Sequence, residues 1–60
     1  MFTVGQEVFS PNYGKGVVAC IDEEALFYQV QVTFHDGSAE EFTQSGKEFI
    51  SEDKPVLVKV

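Results

Sequence analysis

Between Phe27 and Phe34 the chain alternates strictly, with Tyr28, Val30, Val32 and Phe34 on one parity and Gln29, Gln31 and Thr33 on the other. A period of two fits the pleat of a half-buried β-strand and cannot supply the stripe that a helix needs. His35-Asp36-Gly37-Ser38 follows at once. An Asp-Gly pair offers a glycine that enters positive φ without steric cost, so the chain can reverse into Ala39 to Thr43 and close a hairpin. The returning segment places Glu40 and Phe42 on one side and Ala39, Glu41 and Thr43 on the other. Its acidic outward face suits the edge of a sheet.

The same reading extends in both directions. Val4 to Phe9 forms a first strand with Val4 and Val8 on a shared parity, and Ser10-Pro11-Asn12 ends it because proline cannot donate to a ladder. A loop runs to Gly14, and from Gly16 the apolar run Val17-Val18-Ala19-Cys20-Ile21 forms a second strand that Asp22-Glu23-Glu24 terminates in solvent. Beyond the hairpin lie a turn at Gln44-Ser45-Gly46, a short strand or helical turn over Lys47 to Ile50, and a polar loop from Ser51 to Pro55. The last alternating segment has Val56, Val58 and Val60 on one face. No stretch carries a helical stripe, an internal repeat or a low-complexity linker. Five short antiparallel strands joined by tight turns predict an all-β small barrel or strongly bent sheet, since closure removes exposed edges.

Sixty residues leave room for one domain spanning 1–60 and for no second core. A chain this short buries about 60% of the surface it exposes when unfolded, and its core supplies no more than roughly 3–5 kcal/mol net. A deep catalytic pocket is not expected. Hydrophobic residues make up 43% of the chain, too many for a disordered tail despite a formal net charge of −6. Ten carboxylates against four lysines and no arginine disfavour direct nucleic-acid binding and favour a basic protein partner. Cys20 is alone, so neither a disulfide nor a closed zinc site is available, which fits a reducing cytoplasm. No basic-then-apolar leader opens the chain, and no run of apolar residues is long enough to span a bilayer.

An ordered pattern links several of these segments. It comprises Val4-Gly5-Gln6-Glu7-Val8, then Pro11, then Tyr13-Gly14-Lys15-Gly16-Val17-Val18 and Ile21, then Val30-Gln31-Val32-Thr33-Phe34 with Asp36-Gly37. The pattern resembles the SH3-like or Tudor-like barrel found at the C-terminus of UvrD-type helicases and in the RNA-polymerase-interacting domains of CarD-like proteins and transcription-repair coupling factors. It departs from those families at Gln6, where they usually carry an acidic residue. The resemblance implies an SH3-like barrel in which Gly14 and Gly16 permit a tight passage between the first two strands, with Tyr13 packed beside it. It also implies RNA polymerase, or another component of the nucleic-acid machinery, as partner. Phe42-Thr43-Gln44-Ser45-Gly46-Lys47 followed by Asp53-Lys54-Pro55-Val56-Leu57 is similar to small bacteriophage and prophage proteins, which implies a mobile-element origin and no particular activity.

The chemistry-bearing residues point away from catalysis. His35 at the hairpin turn has no second ligand or base beside it, and Cys20 within an apolar strand reads as a small buried hydrophobe. Gly14-Lys15-Gly16 lacks the length and the Lys-Ser or Lys-Thr ending of a phosphate loop. The acidic groups lack calcium-loop spacing. No metal, cofactor or catalytic set can be assembled. Aromatic residues are the informative surplus: six Phe and two Tyr exceed what so small a barrel encloses. Phe34, Phe42 and Tyr28 belong to the core by parity, while Phe9, Tyr13, Phe27 and Phe49 fall near strand ends or loops. Those four rings, rimmed by Glu40 and Glu41, either cap an open barrel end or form a protein-binding surface. The expected function is a non-enzymatic interaction module that binds through this aromatic end and a sheet edge, with homodimerisation through the same edge as one version. The alternative is an acidic decoy that occupies the phosphate channel of a nucleic-acid-binding enzyme.

Overall fold

The alternating segment becomes β3 (Val30–Phe34) in a computed structural model that describes all residues 1–60, and the acidic return strand becomes β4 (Ala39–Phe42). Gly37 turns the hairpin with φ 92°, and Asp36 Oδ1 accepts hydrogen bonds from the Ser38 amide at 2.9 Å and its hydroxyl at 2.7 Å. These bonds hold the Asp36 carboxyl below the usual carboxylate range. Upstream lie β1 (Glu7–Ser10) and β2 (Gly14–Ile21), and downstream lies β5 (Val58–Lys59). All five join one antiparallel sheet in the order β4-β3-β2-β1-β5. The all-β architecture expected from the alternation is therefore present. β4 and β5 are the outer strands and share no ladder.

The inner face carries Val8, Val18, Val30, Val32, Phe34 and Phe42, with Phe2 and Leu57 added from segments outside the strands. Gly16 sits between Val8 and Phe34 in the cross-strand register. A Cβ there would lie 2.7 Å from Phe34 Cδ1 and 2.7 Å from the Thr33 carbonyl oxygen, so only glycine lets the Phe34 ring cross β2. Gly14, by contrast, is required for its positive φ of 85° at the start of β2. The two glycines of the expected turn thus serve different purposes.

Beyond β4 the chain folds back at Gly46, whose φ is 91°. Its carbonyl accepts the amides of both Val56 and Leu57 at 2.8 Å, and a Cβ at Gly46 would lie 2.7 Å from the Leu57 carbonyl oxygen. The segment following β4 is in this way tied to the one preceding β5. Phe2 packs beneath the junction, with its amide donating to Gln44 Oε1 at 3.0 Å and Lys59 Nζ 5.7 Å from its ring centroid.

Several local expectations change. Cys20 is exposed, not buried. The β2–β3 register shifts between Val18 and Cys20, from Val18↔Val32 to Cys20↔Gln31, so an extra residue bulges and Ile21 takes the inward parity that Cys20 would have held. Val4 is exposed and precedes β1, which starts only at Glu7. Tyr28 lies outside β3 and is half-buried, its hydroxyl accepting the Ile50 amide at 3.2 Å, and it is absent from the central core. In the last segment the inward residue is Leu57, whereas Val58 and Val60 face solvent, because the Gly46 bridge sets the register from the Val56 and Leu57 amides. Lys47 to Ile50 forms neither strand nor helix but a run of bends. Glu52 Oε1 secures it by accepting the Glu48 and Phe49 amides at 2.8 and 2.9 Å.

Candidate functional site

β4 is an outer strand, and its backbone has one satisfied side and one open side. The Phe34 amide donates to the Ser38 carbonyl at 2.8 Å, and the antiparallel alternation then faces Val32 to Glu40 and Val30 to Phe42. The amides and carbonyls of Ala39 and Glu41 consequently point away from β3, and neither residue is bonded to a backbone group outside the strands. Along this side lies an open groove of about 480 Å³ lined by Tyr28, Ala39, Glu40, Glu41, Glu48 and Phe49. Consecutive strand residues point to opposite faces, so a depression touching three in a row follows the edge of the strand.

The far wall is built by the turn after Gly46. Glu52 fixes its backbone, while two residues of the β1–β2 turn fix the Glu48 carboxylate: Tyr13 donates from its hydroxyl to Oε2 at 2.7 Å and Asn12 Nδ2 donates to Oε1 at 3.4 Å. The Tyr13 ring is itself held by stacking on Phe34, with centroids 5.0 Å apart and planes 25° apart. The bond to Glu48, burial and the nearby charges of Glu48 and Glu40 push the Tyr13 hydroxyl up to about 12. Glu40 shares the inward parity of Phe42, and Glu48 is bonded to Tyr13, whose ring stacks on the inward-facing Phe34, so both carboxylates stand on the inner side of the sheet. The carboxylates of Glu40 and Glu41 accept no hydrogen bond from the protein and flank the open backbone of β4 on its two faces.

Of the residues singled out by sequence, Glu40, Glu41 and Phe49 come together in this groove. Phe27 is exposed in the β2–β3 loop next to Tyr28 but does not line the groove. Phe9 lies elsewhere. It faces outward on β1 between Lys15 and Val58, across the sheet from the groove. Tyr13 is half-buried against Phe34 and contributes its hydroxyl, not an open ring, to the site. Sequence reasoning missed Tyr28, which parity assigned to the core, and Glu48, whose link to Tyr13 spans 35 residues and leaves no local trace.

No group of three His, Cys, Asp or Glu side chains is placed to hold a metal, and His35 is exposed at its turn with its amide bonded to the Lys15 carbonyl at 2.9 Å. No helix is long and apolar enough to cross a membrane. In comparisons with protein-family models, with curated proteins and with solved structures, nothing matches this chain.

Proposed function

We propose that this chain is a single SH3-like barrel acting as a non-enzymatic protein-interaction module in the cytoplasm, and that its partner docks on β4 and the aromatic groove beside it. One observation carries the reading: the only outer strand longer than two residues has an open backbone side, and that side lies in a groove flanked by Tyr28 and Phe49. Strand addition at such an edge supplies affinity through main-chain bonds, and flanking side chains choose the partner. The sheet order and the Gly46 bridge between its two outer segments support the barrel reading. The motif resemblance supports a partner from the transcription or nucleic-acid machinery, reached through protein contacts, since a net charge of −6 repels phosphate. It also leaves a bacteriophage or prophage origin as the source to expect.

A second copy is a poor occupant of this edge. Antiparallel pairing of β4 with itself sets Glu40 opposite Glu40 or Glu41 opposite Glu41, according to register, and directly opposed like charges destabilise a ladder. The test is affinity capture from a cell extract, read by mass spectrometry, with the wild-type chain and Phe49→Ala side by side. Phe49 is 56% exposed, so the variant keeps the fold. A partner held by the wild type and lost with Phe49→Ala supports the module. Capture indifferent to Phe49 but abolished by Glu40→Gln/Glu41→Gln and by added salt identifies an acidic decoy instead.

A further inference from the structure

We infer that the β4 groove takes an extended polypeptide segment bearing lysine or arginine, added to the sheet beyond β4 with one cationic side chain reaching between Glu40 and Glu48. The inference rests on the interaction-module reading and names the chemistry of its partner. Geometry fixes the extended form. The open amides and carbonyls of Ala39 and Glu41 are spaced for a pleated neighbour, and a helix has no free backbone groups to offer them.

Charge fixes the side chains. A residue added opposite Glu40 points to the inner side of the sheet, where Glu48 also stands, and a residue opposite Glu41 meets that carboxylate on the outer side. Glu48 is pre-set for the task because Tyr13 and Asn12 hold both of its oxygens and Glu52 holds its amide. A carboxylate already fixed loses little side-chain freedom when a cation arrives. Tyr28 and Phe49 supply apolar walls along which the methylene stem of a lysine or arginine can lie while its head reaches the carboxylates. Tyr13 is a positioning residue in this scheme, acting through Glu48.

Short fluorescent peptides test the inference directly. One alternates valine and lysine, a second replaces every lysine by glutamate, and a third keeps the lysines but carries N-methyl groups on alternate backbone nitrogens. Fluorescence anisotropy should show binding of the first alone. Glu40→Gln and Glu48→Gln should each weaken it by about tenfold, equivalent to about 1.4 kcal/mol. Tyr13→Phe, which keeps the stacked ring and removes the hydroxyl, should weaken it several-fold, while Glu7→Gln on the outer face of β1, separated from β4 by β3 and β2, should change nothing. Equal binding of the N-methylated peptide would remove strand addition, and equal binding of the glutamate peptide would remove the cation. Absence of binding by the valine-lysine peptide while extract capture still depends on Phe49 overturns the inference and leaves the module reading standing.

Discussion

The hydroxyl of Tyr13 reaches Glu48 at 2.7 Å while its ring stacks on Phe34 at 5.0 Å, so one side chain joins the β1–β2 turn, the core and the wall of the groove. Its titration is measurable. The folded-state value near 12 lies above the ordinary 10, so Tyr13 contributes stability that is fully present below pH 10 and is lost as pH rises toward 12. Spectrophotometric titration should find one tyrosinate forming near pH 12, and Glu48→Gln should move it down toward 10 by removing the carboxylate. Stability of Tyr13→Phe should fall less steeply than wild type over the same interval.

Gly16 and Gly5 separate steric from conformational demand. Gly16→Ala drives a methyl into Phe34 and the Thr33 carbonyl, and overpacking against backbone costs about 1–3 kcal/mol, a large share of what so small a core supplies. Gly5 has φ 88° with open space around its Cβ position, so Gly5→Ala carries only the conformational cost, on the order of 1 kcal/mol. Urea titrations followed by circular dichroism should rank wild type above Gly5→Ala and Gly5→Ala above Gly16→Ala.

Phe42 and Cys20 should behave in opposite ways. Phe42 is wholly buried on the inner face of the outer strand β4, and Phe42→Ala should cost about 3–5 kcal/mol, enough to leave the chain largely unfolded. Cys20 faces solvent, so Cys20→Ser should stay within about 0.5 kcal/mol of wild type. The native thiol should also react with Ellman's reagent without denaturant, and protection until the protein unfolds would contradict the bulge that turns Cys20 outward.

The acidic edge should keep the chain monomeric. Glu40→Val/Glu41→Val replaces the charges of β4 with residues that favour pairing, and light scattering should then show dimers or larger species. Wild type should scatter as a monomer under the same conditions.

The alternation from Val30 to Phe34 and the Asp36-Gly37 turn were legible because strand period and turn chemistry are local. β4 as a charged outer strand was legible for the same reason. The bulge after Val18 was not, since nothing in Val17 to Ile21 says which residue will be skipped until β3 pairs with it. Parity likewise failed at Val56 to Val60, where a single carbonyl from Gly46 outweighs the valine pattern and turns Leu57 inward. Phe2 joined the core without any periodic neighbour to announce it. Half of the groove was visible as Glu40, Glu41 and Phe49, whereas Tyr28 and Glu48 became part of it only through contacts far apart along the chain.

The pairing of Phe9 with Val58 has a temporal consequence for synthesis. A ribosome delivers β1 through β4 in neighbouring order, so most of the ladder can zip as it emerges, but one flank of β1 must wait until β5 has also been made. Until then Val8 lacks its final neighbour, and the nascent product is vulnerable to wrong partners at the flank that maturity covers last.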